Sequence, residues 1–440
     1  MTASTDSITG GAAGGLNQHG GRLGAAYWRL WTASTISNLG DGMFLVALPL
    51  LAARTTTSSL QISLVAAFSM LPWLVVSLHA GAIVDRSDKR RLMIAVDTFR
   101  GVLIAALALV VATDGLQIWM LWALALCLGV AEVFFDNAAQ AILPAVVDPH
   151  LLEKANGRRY SAEITANIFL GTPLGGALFA LAVWLPFGAD AVSYLGAVIL
   201  VIPLRGVFKV PADAGQRPTT LSEDVRSGFR WLWSNTIMRG MALALALTNL
   251  GLGMTPGLFI LYVRDELHIS DRWYGVMLGV MATGGILAGL VGDRIIARLG
   301  KVQALYATAI GWMLIMATIG FVPRLVPVMI AETLGVFAVT LWNIGTVSLR
   351  QQIVPAGLFG RVNSVYRWFA WGSMPIGAVI GGFIAQNSNQ RMPYIGAAIC
   401  IALGVAVMSR TVTRSTLREA GGSNEIPTTR TASRWDVPSG

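Results

Sequence analysis

Charged residues are scarce in this chain. Asp, Glu, Lys and Arg make up 12% of its 440 residues, whereas 55% of the residues are hydrophobic. Soluble globular domains contain about 25% charged residues. The composition therefore excludes a soluble globular protein and predicts a protein that resides in a lipid bilayer.

Cysteine and histidine are also rare. Cys127 and Cys400 lie inside apolar segments, and the four histidines are scattered along the sequence. Neither residue type forms a ligand spacing, so we expect no disulfide framework, metal site or other cofactor. The sequence also lacks the nucleotide-binding pattern GxxxxGK[ST] and the zinc-protease pattern HExxH, so an enzyme is disfavoured and no catalytic residue is predicted.

Long apolar segments account for most of the sequence. A helix rises about 1.5 Å per residue and the hydrocarbon core is about 30 Å thick, so about 20 apolar residues predict one membrane-spanning helix. The predicted fold class is an all-α integral membrane protein with twelve transmembrane helices, located in the inner or plasma membrane of the cell. The twelve segments are residues 30–52, 60–83, 92–112, 118–143, 162–184, 188–207, 240–263, 273–297, 302–322, 326–349, 364–386 and 392–410.

Basic residues are unevenly distributed between the loops on the two sides of the predicted membrane. With both termini in the cytoplasm, the outer loops contain only Arg54, Arg264, Arg272, Arg324 and Arg391. Most other Lys and Arg residues then lie in inner loops and tails, as the positive-inside rule requires. This topology accounts for the net charge of +9, so no nucleic-acid partner is expected. Membrane lipids are the expected partners of the spanning segments.

The two halves of the chain repeat each other. Asn38–Met43 (NLGDGM) recurs as Asn249–Met254 (NLGLGM), and four further matches follow in the same order. Repeated halves related by an axis along the membrane normal are typical of transporters, with the substrate site near the midplane between them. We therefore expect two pseudo-symmetric six-helix bundles.

The repeat divides the chain into two bundles, a linker and two tails. We expect disordered cytoplasmic tails at 1–26 and 411–440, helical bundles at 27–207 and 240–410, and a cytoplasmic linker at 208–239. The linker contains TLSEDVRSGFRWLWSN, whose acidic start and interleaved aromatic and arginine residues predict a helix in the headgroup region. A plain linker remains the alternative.

The segment GAIVDRSDKRRLM, residues 81–93, connects the second and third predicted spans. It contains a glycine, three residues, Asp-Arg and a basic cluster. Three further segments accompany this motif: LGDGMFLVALPLL in span 1, EVFFDNAAQAILP in span 4 and FLGTPLGG in span 5. With these features the sequence resembles the major facilitator superfamily over nearly the whole chain. Within that superfamily the sequence is similar to the transmembrane secretion effector branch, which includes exporters of enterobactin, macrolides and multiple drugs.

The resemblance implies a secondary transporter that works by alternating access. The expected activity is proton-coupled efflux of drug-like or siderophore-like small molecules, by a monomer whose two bundles rock about a central site. Its partners would then be the small-molecule substrate and protons. An importer or facilitator of a small metabolite and a non-transporting receptor are the alternatives.

The charged loop between spans 2 and 3 is predicted to be a gate. A carboxylate at the inner end of a span, close to a glycine that permits close helix approach, can meet the positive N-terminus of a neighbouring helix. The resemblance implies that this contact closes the inner side while the cavity faces outward. The predicted gating residues are Gly81, Asp85, Arg86, Asp88, Lys89, Arg90 and Arg91, with a weaker copy at Asp293 and Arg294.

Carboxyl groups inside the predicted spans are the candidates for proton coupling, because placing one at the bilayer centre costs about 2.5–3.5 kcal/mol. Asp41 and Glu132 lie at mid-depth in spans 1 and 4, and Asp136 follows Glu132 by about one helical turn. The repeat pairs Asp41 with Leu252 and Asp136 with Asn343, so only the first half has these acids. Burial favours the neutral form of a carboxyl group, whereas access to solvent or a bound cationic substrate favours the ionised form. We therefore predict that these three residues carry the proton.

The resemblance implies that spans 1, 4, 7 and 10 surround the central cavity, and their aromatic and amide side chains suit a bulky amphiphile. The predicted substrate-binding residues are Asn38, Phe44, Phe135, Gln140, Asn249, Trp342 and Asn343. Small residues permit close helix packing, and proline permits a kink. The predicted helix-packing residues are Gly171, Pro173, Gly175, Gly176, Gly377, Gly381 and Gly382. Four further polar residues are expected nearer a membrane face, in structural roles: His79, Arg100, Glu163 and Glu332.

Overall fold

The computed structural model describes residues 23–148, 151–204, 221–270, 273–354 and 358–411. The described chain consists of helices joined by short connections and contains no strand, as predicted for an all-α protein. Its sixteen α-helices are α1 (Ala25–Thr55), α2 (Ser59–Val75), α3 (Ser77–Arg86), α4 (Lys89–Ala112), α5 (Ile118–Val146), α6 (Leu152–Ile164), α7 (Thr172–Leu181), α8 (Leu185–Val201), α9 (Leu221–Ser234), α10 (Thr236–Gly253), α11 (Phe259–Asp265), α12 (Tyr274–Leu299), α13 (Lys301–Phe321), α14 (Leu325–Ile353), α15 (Phe359–Asn387) and α16 (Met392–Thr411).

Ten segments of the described chain are long and apolar enough to cross a bilayer. They lie in α1, α4, α5, α12, α13, α14, α15, α16 and two broken helices, Lys154–Leu181 and Thr236–Asp265. The other two predicted spans correspond to α2 and α8, which are apolar but only 17 residues long. Seventeen residues rise about 26 Å, so length and composition give ten spans, and twelve remains a prediction.

The helices of the first half pair in the same way as those of the second half. In the first half α1 contacts α8, α2 contacts α5, and α4 contacts both α5 and α8. In the second half α10 contacts α16, α12 contacts α14, and α13 contacts both α14 and α16. The repeat that is visible in the sequence is therefore also a repeat of helix pairings.

Two helix pairs join the halves closely: α2 with α15, and α7 with α12. A Cβ atom on Gly382 of α15 would overlap the side chain of Ser63, and one on Gly275 of α12 would overlap the Thr172 carbonyl. Small residues thus allow these helices to approach closely. Where α2 begins, the hydroxyl of Ser58 donates to the side chain of Gln386 at 3.0 Å.

Two of the crossing segments are interrupted. A π-helical segment, Thr165–Gly171, joins α6 to α7, and Pro173 follows it in the first turn of α7. The chain between α10 and α11 contains a 3-10 turn at Pro256–Leu258. Such interruptions are frequent at functional sites, because they redirect side chains and leave backbone groups that need other partners.

The linker contains a helix, α9, which packs against α15 and α10. A Cβ atom on Gly228 would overlap the backbone of Arg361, and Leu232 is fully buried. The rings of Phe229 and Trp233 stack on each other and on Phe369 of α15, with centroids 5.4–6.4 Å apart. The predicted helix is thus present, and its place in the headgroup region remains a prediction. Residues 208–220 of the linker lie outside the described residues. So do the two predicted tails, except for residues 23–26 and 411.

Candidate functional site

An ion pair lies in the first half, between α4 and α5. The guanidinium of Arg100 donates to the carboxylate of Glu132. The Arg100 side chain is 2% exposed, whereas that of Glu132 is 44% exposed, so the pair has one buried and one accessible member. The Arg100 guanidinium also lies over the rings of Phe135 and Tyr194, at 5.0 and 5.7 Å from their centroids, a geometry that stabilises a cation.

A second contact connects α1 to α8. The hydroxyl of Tyr194 donates to the carboxylate of Asp41. The two helices approach closely because a side chain at Gly40 would overlap Ser193 and Asp190. Tyr194 therefore links the two contacts, since its ring faces Arg100 and its hydroxyl binds Asp41.

Further buried carboxyl groups surround these contacts. Asp97 and Asp190 are 1% and 0% exposed, and each has one side-chain oxygen without a hydrogen-bond partner among the described residues. Arg100 interacts electrostatically with both of them, and with Asp41 and Asp136. We call Asp41, Asp97, Arg100, Glu132, Asp136, Asp190 and Tyr194 the polar network.

The polar network contains fewer positive charges than carboxyl groups. Arg100 is its only buried cation in the described part of the chain. Arg159 of α6, which is not part of the network, also interacts electrostatically with Asp136. One guanidinium neutralises one carboxylate, so each remaining group either carries a proton or leaves a buried charge that costs several kcal/mol. No cluster of His, Cys, Asp and Glu within the described ranges is arranged to hold a metal ion.

Sequence reasoning found part of this network and missed the rest. The predicted proton-coupling residues Asp41, Glu132 and Asp136 all belong to it. Arg100 was expected near a membrane face, but it is the twelfth residue of the 24-residue α4 and is fully buried. Asp190 was not singled out, although an acid within an apolar segment is a signal that the sequence does contain.

The second half has no equivalent network at the matching described positions. Aligning α8 with α16 at Pro186 and Pro393 places Ala397 opposite Asp190 and Ile401 opposite Tyr194. Aligning α4 with α13 at their first residues places Trp312 opposite Arg100. The asymmetry that the sequence indicated for Asp41 therefore extends to the groups that surround it.

A cavity of about 550 Å³ lies between the two halves. Residues of α1 and α2 line one side, and residues of α10 to α16 line the other. Phe44, a predicted substrate-binding residue, is one of its walls, and Glu332 of α14 is its only charged lining residue in the part of the chain that is described. A larger apolar groove, about 740 Å³, is lined by α12, α13 and α14 alone, so it is not shared by the two halves.

The other predicted substrate-binding residues have different surroundings. The amide of Asn38 donates to the Ser34 carbonyl of its own helix, and that of Asn249 donates to the Ala370 carbonyl of α15 at 2.8 Å. Phe135 lies under Arg100, and Trp342 packs against the apolar core around Leu305 and Val362. The side chains of Gln140 and Asn343 lie outside the described residues.

Three predicted gating residues have local contacts within the first half. The Asp88 carboxylate accepts a hydrogen bond from the Arg91 amide at 3.0 Å and caps α4, and Arg90 donates to the carbonyls of Val201 and Ile202 at the end of α8. Lys89 is buried, whereas Arg91 and, on α12, Arg294 are exposed. The side chains of Gly81, Asp85, Arg86 and Asp293 lie outside the described residues.

The predicted packing residues lie at close helix contacts. A Cβ atom on Gly171 or Gly175 would overlap the α1 backbone, and one on Gly377 or Gly381 would overlap the α10 backbone or the residue that follows it. Pro173 faces Gly279 of α12. Two further members of the prediction, Gly176 and Gly382, lie in the contacts between the halves.

Comparison with known proteins identifies the family. The family model described as transmembrane secretion effector matches residues 24–439. The chain belongs to this family. Its curated relatives include the multidrug efflux pump Tap of Mycolicibacterium fortuitum, 26% identical over 86% of this chain and 93% of the relative. They also include macrolide efflux protein A of Streptococcus pyogenes, 24% identical over 86% of this chain and 94% of the relative.

Solved structures show the same fold. The nucleoside transporter NupG superimposes with a TM-score of 0.72 at 13% identity, covering 89% of this chain and all of NupG. At that identity the likeness concerns the fold alone. Family membership confirms three predictions: the resemblance to major facilitator transporters, a transporter rather than an enzyme, and a multi-pass protein of the cell membrane.

Proposed function

We propose that this protein is a proton-coupled exporter of drug-like or siderophore-like small molecules that works by alternating access. The relatives that are named as multidrug and macrolide efflux pumps support the direction of transport. In this proposal the bundles 27–207 and 240–410 each contribute six membrane crossings, and both termini lie in the cytoplasm. The repeated helix pairings support that arrangement.

The observation that carries the proposal is the Arg100–Glu132 ion pair inside the polar network. Ionisable groups within spanning helices are costly and mark proton relays or ligand paths. Glu132 is the accessible member of the pair, so in this proposal it is the member that exchanges its proton with solvent. The surplus of carboxyl groups over cations gives the network sites where protons reside.

The proposed cycle exchanges a proton for substrate through this network. Protonation of Glu132 weakens its attraction for Arg100 and frees the guanidinium for another carboxylate, such as Asp41. Because these groups lie on α5, α4 and α1, the exchange changes the contacts between three helices of the first half. A membrane potential of 100 mV supplies about 2.3 kcal/mol for each charge that crosses.

The charged loop at 81–91 acts as the inner gate in this proposal. Asp85 and Arg86 form the contact that closes the inner side, while Asp88 and Arg90 hold the ends of α4 and α8 in place. The second copy at Asp293 and Arg294 contributes less, because fewer basic residues follow it.

Two experiments test the proposed function. Cells with and without the protein are grown with a panel of macrolides, tetracyclines, lipophilic cations and siderophores, with and without an uncoupler. We expect protection against at least one compound, and we expect the uncoupler to remove it. Protection that persists after uncoupling, or none across the panel, contradicts the proposal.

The second experiment uses purified protein in detergent at low buffer capacity. A compound identified by the panel is added, and released protons are measured with a pH-sensitive dye. We expect release from the unmodified protein and reduced release from Asp41→Asn and Glu132→Gln. Equal release from all three proteins would remove these residues from the coupling step.

A further inference from the structure

Glu332 occupies an isolated position in the cavity between the two halves. It is half-buried and is the eighth residue of α14. Among the described residues, none forms a hydrogen bond or ion pair with its carboxyl group. It is also separate from the polar network, which lies on α1, α4, α5 and α8.

The surroundings of Glu332 are aromatic and apolar. Tyr274 and Tyr394 line the same cavity, together with Phe44, Phe259 and Trp312. The rings of Tyr262 and Tyr394 lie 4.9 Å apart; the Tyr262 hydroxyl donates to the Ile319 carbonyl at 2.7 Å. Neighbouring helices thus present tyrosines to Glu332, and no described Lys, Arg or His lines the cavity.

Tyr394 is a second, independent indication that this cavity accommodates a polar group. Its side chain is 0% exposed, and its hydroxyl has no hydrogen-bond partner among the described residues. A buried hydroxyl without a partner costs about 1–3 kcal/mol. A polar group of a bound ligand would remove that cost.

We infer that Glu332 is the anchor for the positive charge of an amphiphilic organic cation that binds in this cavity. The inference rests on the proposed function and names a substrate class for it. A cation supplies the counter-charge that the carboxylate lacks, and the aromatic walls add cation–π attraction. A volume of about 550 Å³ suits a drug-sized molecule.

The other residues that line the cavity favour binding of ligands with hydrophobic groups of different shapes. Met70, Met281, Met316 and Met374 all line the cavity. Methionine is unbranched and flexible, and surfaces rich in it repack around different ligands. The two halves then have different tasks: the first half exchanges protons, and the second half binds the charge of the substrate.

Equilibrium binding tests the inference without a proton gradient. Purified protein in nanodiscs is titrated with tetraphenylphosphonium, a lipophilic cation, and with triphenylphosphine oxide, a neutral molecule with similar phenyl groups. For Glu332→Gln we expect the affinity for the cation to fall by at least about tenfold, as loss of a charge-assisted contact predicts. The affinity for the neutral molecule should change less than about twofold.

Two variants keep the test decisive. Glu332→Asp retains the charge and should retain the preference for the cation. Glu266→Gln removes a carboxylate that pairs with Arg391 outside the cavity, and it should bind both molecules like the unmodified protein. Unchanged affinity of Glu332→Gln for the cation, or an equal loss for both molecules, overturns the inference. Neither result affects the proton-driven export that the cell assay measures.

Discussion

Arg100 and Glu132 form an ion pair in which the arginine is buried and the glutamate is accessible. The pair joins α4 to α5, and Tyr194 extends it to Asp41 on α1. A cation held among several carboxyl groups has alternative partners besides the one that it contacts directly. Such an arrangement suits a site that must change its contacts when one proton arrives.

The first prediction concerns Glu132. The change Glu132→Gln keeps an acceptor for Arg100 but removes a group that can ionise. We expect transport driven by a pH gradient in proteoliposomes to fall by at least about tenfold, a change that corresponds to about 1.4 kcal/mol. Exchange of labelled for unlabelled substrate without a gradient should persist. Equal loss in the two assays would indicate a structural role for Glu132 instead.

The second prediction concerns the hydrogen bond from Tyr194 to Asp41. Tyr194→Phe removes the donor, and we expect the free energy of unfolding to fall by about 1–3 kcal/mol. Ligand-induced proton release should fall too, because Asp41 loses its contact with the network. Both are measured on purified protein, by denaturant titration and by a pH-sensitive dye.

Tyr27→Phe is the matched control for this prediction. The Tyr27 hydroxyl is buried and donates to the Ala155 carbonyl at 3.0 Å, away from the polar network. This variant should lose about 1 kcal/mol of stability and release protons normally. If Tyr194→Phe behaves like Tyr27→Phe, then Tyr194 only stabilises the fold.

The sequence alone was sufficient to find two acids within apolar segments but not to find their partners. Asp41 and Glu132 are conspicuous because each interrupts an apolar segment. Arg100 is equally conspicuous, yet its role depends on how α4 is rotated against α5 and α8, and hydropathy does not specify that rotation. Asp190 also lies within an apolar segment, but its position next to α1 depends on the close approach of α1 and α8 at Gly40.

The role of Glu332 in the cavity was likewise not predictable from the sequence. Glu332 is one acid near the start of an apolar segment, a position that is often structural. The 3-10 turn at Pro256–Leu258, which interrupts the helical segment, and the approach of α2 place Glu332 in a cavity. Both features belong to the folded structure and are not visible in the sequence. Helix number was predicted from apolar length alone, and the 17-residue α2 and α8 are the two cases in which length is not decisive.

The third prediction separates the capping role of Asp88 from gating. Its carboxylate accepts from the Arg91 amide at the start of α4, and loss of such a cap costs about 0.5–2 kcal/mol. Asp88→Ala should lower stability by that amount, whereas Asp88→Asn should keep the cap and support normal export. Loss of export in Asp88→Asn, with stability unchanged, would show that the charge itself is required.

The fourth prediction concerns Asp85, the central residue of the proposed gate. Asp85→Asn should leave membrane insertion and yield unchanged, because the basic residues that set orientation are retained. Export from inverted vesicles should fall by at least about tenfold, since the inner side no longer closes. Normal export by this variant would exclude the gating role.

The fifth prediction concerns the contact of Gly377 with α10. A Cβ atom there would overlap the Leu250 carbonyl, which belongs to the backbone and cannot rotate away. We expect Gly377→Ala to lower the free energy of unfolding by about 1–3 kcal/mol, the usual cost of overpacking. A Cβ atom on Gly311 of α13 would have no described heavy atom of another residue within 4 Å, so Gly311→Ala should be neutral or stabilising by up to about 1 kcal/mol. Denaturant titration of the two purified variants measures the difference, and equal stabilities would mean that α10 and α15 do not pack this closely in the bilayer.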